Sequence, residues 1–342
     1  MTAYAGTEAV TRTRQLVTPA LRKAVATLPT STRRIGEYHL GWTDKDGAPS
    51  SACSGKLIRP TLTLLAAEAV GGTAGPAIPM AVAVELVHNF TLLHDDVMDG
   101  DRTRRHRETA WSVFGTGPAI MAGDALLSLA FQAVAESGAA ARAIGDTVQQ
   151  LIEGQLADCE FETCKTIRYA DCVAMAQRKT GALLSCAAEL GGLSAGASPE
   201  QTAGLRRFGA EVGLAYQYVD DLLGIWGDPA VTGKPVFNDL RRRKKSLPVA
   251  AALESRTAEG EEFGALYAAR GELTTEQLAR AAYLVEKTGA RDHCQSRANE
   301  LMASAPGHLR SIASPDPPVA MSVARAIAEL GNLARLAARR ES

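Results

Sequence analysis

Twice along this chain an apolar run with helical spacing leads into a pair of adjacent aspartates, and few folds accommodate that twice. The first run, 81–93, delivers Asp95-Asp96-Val97-Met98-Asp99, and the second, 208–219, delivers Asp220-Asp221, 125 positions after the first pair. On a helix Asp95 and Asp99 are one turn apart, so their carboxylates leave the same face. Carboxylates this close repel one another unless a cation sits among them. An all-oxygen donor set suits Mg²⁺, whereas Zn²⁺ would want His or Cys in the set. The eleven residues from Asp95 to Arg105 hold four aspartates and three arginines, ending in Arg104-Arg105. Guanidinium groups of this kind hold phosphate oxygens. The second pair is followed in turn by five consecutive cations at 241–245. Either half alone reads equally well as a solvated acidic helix end and a basic loop. Repetition in the same order favours a diphosphate site.

Composition narrows the fold. The 342 residues are 46% hydrophobic, 22% charged and only 5% aromatic, and Ala and Leu abound while β-branched runs are rare, which favours helices. A net charge of −1 argues against a generic nucleic-acid or membrane-surface binder. The six cysteines form no C-x-x-C pair and read as thiols of a reducing compartment. No run of 18 apolar residues predicts a membrane span, and 1–14 lacks the apolar core of a secretory signal. The expectation is a cytoplasmic protein with one domain over 1–342.

Taken in order, 10–28 predicts a first helix with Pro19 at its start or at a kink, and 43–54 a loop. Lys56 and Arg59 share a face of the next turn. A long helix is predicted over 78–99, with His88 two turns below Asp95. Gly123-Asp124 interrupts an apolar stretch. Gly154, Gln155 and Asp158 are polar or small positions in an otherwise buried-looking helix. Lys179-Thr180-Gly181 lies inside an apolar pattern, so the lysine either snorkels or faces a polar cavity, and Gly181 permits a kink. The run 208–219 reads as a helix ending in its aspartates. The acidic 253–264 reads as a surface loop, 274–303 and 319–338 as amphipathic helices, and 304–318 as a connector.

With these elements in place the chain resembles the trans-isoprenyl diphosphate synthases, most closely those making geranylgeranyl diphosphate. Gly55-Lys56-Leu57-Ile58-Arg59-Pro60 matches the family's G-K-x-x-R-P, and the first acidic cluster with Arg104-Arg105 matches its first aspartate-rich motif. Lys179-Thr180, then Gln217-Tyr218-Val219-Asp220-Asp221, then Gly233-Lys234-Pro235 and 239–248 match the later elements in order. The resemblance implies an all-α helical bundle of one domain around a deep central cavity, usually a homodimer. It implies that Asp95, Asp99 and Asp220 hold Mg²⁺, three ions with bound diphosphate, with Asp96 and Asp221 beside them. Arg104, Lys179, Lys234 and Lys244 would cage the allylic diphosphate. Lys56, Arg59, His88 and Arg105 would hold isopentenyl diphosphate, and Thr180 and Gln217 would line the reacting carbons.

Two positions depart from the family pattern. Gly224 stands where the second motif usually has a third aspartate, with Asp228 one turn on as a partial substitute, and Phe237 replaces a small residue. In this family the residues below the first motif form the cavity floor. Thr91 is small, and Phe90, bulky and about 7.5 Å below Asp95 along the axis, implies a twenty-carbon product. A fifteen-carbon or a longer product is the alternative. A class I terpene cyclase would leave Lys56, Arg59 and Arg105 without a task. An HD-type phosphohydrolase would use His94-Asp95 but needs further His ligands. A non-catalytic partner subunit would fit Gly224 but not the intact first motif.

Overall fold

Helical spacing in the sequence becomes helix through most of the described residues, which are 8–50, 55–164, 167–229, 235–269, 271–312 and 317–338 of a computed structural model. The elements run α1 Glu8–Val25, α2 Thr30–His39, α3 Ile58–Ala69, α4 Ala74–Met98, α5 Ala110–Phe114, α6 Thr116–Ala133, α7 Gly138–Thr163 and α8 Tyr169–Ala176. After a π-helical turn at Gln177–Gly181 come α9 Ala182–Ser194, α10 Pro199–Trp226, α11 Asn238–Arg241, α12 Leu247–Glu254, α13 Ala258–Ala268, α14 Thr275–Lys287 and α15 Ala290–Ser304. A 3₁₀ segment, Ala305–Ile312, and α16, Pro317–Ala338, complete the chain. Among the described residues the only sheet is a two-stranded hairpin, β1 Thr103–Arg104 against β2 Arg107–Glu108.

Backbone contacts divide the chain into two units. One takes the described residues of Met1–Val148, Cys186–Arg206 and Ser311–Leu333, and the other those of Gln149–Ser185, Arg207–Arg310 and Ala334–Ser342. In the first, α4 is the core helix: its residues from Ala81 to Val87 are all buried. By length and composition α4 could cross a membrane, yet 61% of its most apolar window is buried inside the protein. Leu62, Leu64, Leu65, Leu86, Leu93 and Leu126 are among the fully buried side chains of this unit. In the second, Ile225, Leu240, Val249, Phe263, Leu278, Leu284 and Val285 form one core cluster, and Cys172, Tyr218, Leu222, Leu247 and Cys294 belong to another.

Several expectations needed correction. The helix carrying the second pair does not end at its aspartates, since α10 continues to Trp226. A buried Ile225 gives the extra turn a reason to persist. Positions 258–268 form a helix where a surface loop was expected. There Thr257 caps the helix by accepting from the Gly260 N–H, and Phe263 and Tyr267 supply a buried face. The stretch 274–303 is two helices, broken at Gly289 with φ 81°. Gly123 lies inside a continuous α6.

Candidate active site

In the first unit the last turns of α4 carry Asp95, Asp96 and Asp99. Asp95 and Asp99 stay partly exposed, while Asp96, 100° round the helix, turns inward and is 1% exposed. Its Oδ1 accepts a 2.6 Å hydrogen bond from Arg104 Nε, and its Oδ2 is buried with no partner. Burial pushes this carboxyl up to about 6, against the pull of Arg104.

The basic residues after the motif are a hairpin turn. Arg104 pairs with Arg107 across the ladder, and the two residues between them, Arg105 and His106, both have positive φ, 52° and 62°. That is the two-residue turn whose twist suits a hairpin, built without the Asn-Gly that normally signals it. Two non-glycine residues in this region store strain of about 1–3 kcal/mol each. The turn aims the Arg105 guanidinium at Gly55, where a Cβ would lie 3.0 Å from Nη2. This explains the glycine of the G-K-x-x-R-P element: a side chain there would push Arg105 aside.

Near Arg105 lie Arg59 and His88, two more of the residues expected to hold isopentenyl diphosphate. Burial first, and then the guanidiniums of Arg59, Arg105 and Arg104, hold His88 well below its usual range. Beside it lies His39, which the sequence did not flag. Burial and then Arg105 and Arg104 lower it to about 3, and its buried Nε2 has no partner. The carboxylate of Glu85, also unflagged, is buried among these groups. Burial raises it, while Arg59 and Arg105 oppose the rise, and Asn89 Nδ2 bonds both its carbonyl and Oε1 at 2.7 and 3.2 Å. Arg59, Arg105, Glu85 and two neutral histidines thus share one neighbourhood, and Lys56, next to Gly55 in the chain, is exposed. Thr91 donates to the His88 carbonyl at 2.8 Å, and Phe90 is buried.

In the second unit Gln217, Asp220 and Asp221 lie on α10. Asp221 is 2% exposed and fully engaged: Gln217 Nε2 donates to Oδ1 at 2.7 Å and the Leu247 N–H to Oδ2 at 2.8 Å. Lys244 Nζ stands 3.9 Å from Oδ1. Burial pushes Asp221 up to about 6 although Lys244 opposes it. Burial also works against the Lys244 charge, but Asp221, then Asp239, Asp158 and Asp220, outweigh it and raise the ammonium above its usual range. Asp220 stays partly exposed.

The lysine–threonine pair sits in the π-helical turn Gln177–Gly181, an irregularity that often marks a functional site. Gly154 lets α7 pass against it, since a Cβ there would be 2.6 Å from the Lys179 backbone nitrogen. One turn along α7, Asp158 meets Lys179 Nζ at 2.5 Å, and Lys179 and Lys244 keep its carboxyl low despite burial. Gly213 lies against Gly181, a Cβ at 213 coming within 2.7 Å of the Gly181 Cα. With the backbones this close, Thr180 Oγ1 donates to Gln217 Oε1 at 2.6 Å. The two residues predicted to line the reacting carbons are joined to each other.

The two departures find their explanation here. A Cβ on Gly224 would lie 2.1 Å from Asp239 Oδ2, so the buried Asp239 carboxylate occupies the space where a third aspartate would begin. Asp239, 15 positions on, fills that space and raises both Asp221 and Lys244, while Asp228 is exposed. Phe237 adopts φ 62°, which favours glycine, but its ring packs against the Ile225–Leu240 cluster. The five cations are divided as well. Arg243 binds the Tyr267 and Gly271 carbonyls, and Lys245 lies over the Tyr267 ring. Tyr267 Oη donates to the Lys244 carbonyl at 2.9 Å, leaving Lys244 as the member that reaches Asp221. Lys234 lies outside the described residues.

The donor chemistry fits Mg²⁺. Mg²⁺ takes one or two carboxylates and completes its shell with water and substrate phosphate. Asp95 with Asp99, and Asp220, are partly exposed carboxylates of that kind. Among the described residues no three His, Cys, Asp or Glu groups form a ligand set by themselves. His94 turns instead to the Ile120 carbonyl at 3.0 Å.

Comparison with known proteins agrees with this chemistry. Residues 49–285 match the family model described as Polyprenyl synthetase. A (2E,6E)-farnesyl diphosphate synthase of Mycobacterium tuberculosis H37Rv is 44% identical over 314 residues, covering 90% of this chain and 88% of that protein. A geranylgeranyl diphosphate synthase of the same strain is 46% identical over 305 residues, covering 87% of each. The crystal structure of a polyprenyl synthetase from Streptomyces coelicolor A3(2) superposes with a TM-score of 0.87 at 40% identity, over 94% of this chain and 98% of that one.

Proposed function

Because the chain belongs to the polyprenyl synthetase family and is a prenyltransferase that makes prenyl diphosphates, we propose that it condenses isopentenyl diphosphate head to tail with allylic diphosphates, stopping at geranylgeranyl diphosphate. The observation that carries this reading is the neighbourhood of Arg59, Arg105 and His88, with Gly55 cleared for the Arg105 guanidinium. A terpene cyclase has no use for a second diphosphate site.

Asp95, Asp99 and Asp220 would hold Mg²⁺, three ions in all, together with the allylic diphosphate, with Asp96 and Asp221 behind them. Bound Mg²⁺ supplies positive charge to the departing diphosphate. Arg104, Lys179, Lys234 and Lys244 add fixed charge where negative charge develops. The allylic C–O bond breaks with its electron pair going to the diphosphate. The isopentenyl double bond forms the new C–C bond, and the proton lost from the adjacent carbon passes to the diphosphate. Lys56, Arg59, His88 and Arg105 hold the second substrate in line, and Thr180 with Gln217 borders the reacting carbons.

The twenty-carbon product rests on Phe90 as the floor with Thr91 small above it. A fifteen-carbon product is the second reading, favoured by the similarity to a farnesyl diphosphate synthase. We further propose one domain over 1–342, since most unit boundaries fall inside the helices α7, α9, α10 and α16. We also propose a cytoplasmic location and a homodimer, the latter supported by exposed apolar side chains, Met121 and Phe131 on α6 and Ile152 and Leu156 on α7.

The test is incubation with Mg²⁺, isopentenyl diphosphate and each allylic diphosphate, followed by dephosphorylation and identification of the alcohols. Geranylgeraniol as the main product supports the reading. Farnesol or a longer alcohol moves the product assignment. A cyclic hydrocarbon formed without isopentenyl diphosphate overturns the condensation.

A further inference from the structure

Between α4 and α6, His94, which has no part in the proposed condensation, is held on three sides. Its Nε2 is 3.0 Å from the Ile120 carbonyl and 3.5 Å from Asp124 Oδ1. Its ring fills the gap left by Gly123, where a Cβ would lie 2.4 Å from both Cδ2 and Nε2. Glycine in a helix interior is unfavourable relative to alanine, and here the ring of His94 is what requires it. The third side is Phe90. The two rings, one helical turn apart, meet edge to face with centroids 4.7 Å apart and planes at 67°. Phe90 is 8% exposed, so its ring is packed in place, with the His94 ring as one of its contacts.

We propose that His94 is a specificity-determining positioning residue that sets product length by holding the Phe90 ring. The inference rests on reading Phe90 as the floor of the chain-growth cavity. Each condensation lengthens the product by one five-carbon unit, so a floor must keep one orientation to stop growth at one length. A phenylalanine has few rotamers, and a neighbouring ring anchored to another helix selects among them. The anchor consists of the Ile120 carbonyl and the Gly123 gap on α6, so control over length extends beyond α4.

The experiment compares product lengths from wild type, Phe90→Ala, His94→Ala, the double variant and Gly123→Ala, using isopentenyl diphosphate and a dimethylallyl primer. The expected result is a shift of the main product by at least one five-carbon unit in each variant, with the double variant matching Phe90→Ala. The rate of the first condensation should stay within about threefold of wild type, because no group that touches the diphosphates has changed. Gly123→Ala displaces the ring without altering α4 and decides the question if His94→Ala fails to fold. If Phe90→Ala lengthens the product while His94→Ala and Gly123→Ala do not, the floor stands and the role of His94 falls. If His94→Ala lengthens it further in the Phe90→Ala background, His94 acts independently and the proposal is overturned. If Phe90→Ala leaves the length unchanged, the floor itself is elsewhere and the inference goes with it.

Discussion

The two acidic clusters share a plan and differ in how far it is completed. Each presents partly exposed aspartate and buries a neighbour, Asp96 at 1% and Asp221 at 2% exposure. In each, burial pushes the inner carboxyl up to about 6, and a cation from a later loop opposes it. In the second cluster both oxygens of Asp221 accept hydrogen bonds, from Gln217 and from Leu247. In the first, Asp96 has Arg104 on one oxygen and nothing on the other. The inner carboxylate of the second cluster is tied at both oxygens. The first is held by a strained hairpin turn, with one polar atom left over. Burial of an ionised carboxylate costs stability in either place. In each cluster the inner carboxylate stands against one cation, Arg104 at 2.6 Å from Asp96 and Lys244 at 3.9 Å from Asp221.

The comparison breaks most readily at the inner aspartates. Asp221→Ala strands the Gln217 amide, the Leu247 N–H and Lys244 together, so a loss of about 3–5 kcal/mol is expected, with activity abolished. Asp96→Ala frees one guanidinium that is already 31% exposed on its side chain and can turn to water, so about 1–3 kcal/mol is expected. Urea unfolding of the two variants measures the difference. Equal losses would mean that the unmatched Asp96 oxygen has no bearing on how tightly the first cluster is held.

Next in size is Gly224→Asp, which restores the family's third aspartate and should lower kcat by about 10- to 100-fold. Its Cβ would enter the space of the Asp239 carboxylate. Adding Asp239→Gly should recover part of the loss, because it removes the carboxylate that the new side chain meets. A fully active Gly224→Asp enzyme would show that Asp239 does not occupy the place of the missing residue in solution.

How much of this was legible in the sequence follows the same division. Asp95, Asp96 and Asp99 are neighbours on one helix, and helical spacing alone put two of them on a common face. The second cluster was legible as Asp220-Asp221 and as a basic run, but its joints were not. That Asp239 fills the gap at Gly224, or that Arg243 and Lys245 are engaged by Tyr267 while Lys244 reaches Asp221, depends on packing between distant segments. Asp158 was visible as a carboxylate in an apolar helix, but its partner Lys179 is placed by a π-helical turn with no sequence signature. The hairpin was missed because Arg105-His106 lacks the usual turn residues. His39 and Glu85 gave no signal, since a lone titratable residue on an apolar face has no pattern to betray its neighbours.

Acidity separates the clusters from the histidines beside the first. His39 is lowered to about 3 by burial and by Arg105, so between there and its unfolded value near 6.5 the unfolded chain binds a proton that the fold does not. Its contribution is therefore complete above about pH 6.5 and is lost as pH falls towards 3. Asp96 and Asp221, raised to about 6, behave oppositely: their contribution is complete below about pH 3.9 and is lost as pH rises through 6. In metal-free protein, the stability advantage of wild type over His39→Gln should shrink by about 1.4 kcal/mol per pH unit of acidification across that window. A constant difference would mean that His39 is charged in the fold, and that the neighbouring arginines do not exert the field assigned to them.

The smallest effect sharpens the comparison at the hairpin. A Cβ at Gly55 would lie 3.0 Å from Arg105 Nη2 and 3.3 Å from Nη1, a conflict that moves a flexible guanidinium by only tenths of an ångström. Gly55→Ala should therefore leave the fold intact and raise the KM for isopentenyl diphosphate by about 3- to 10-fold, with kcat and the allylic KM unchanged. Arg105 sits in the exposed turn of a hairpin that Arg104 anchors to Asp96, so displacing its tip leaves the inner pair alone. A matching rise in the allylic KM would mean that the disturbance passes down the hairpin to Arg104 and Asp96. The first cluster would then be as tightly coupled as the second.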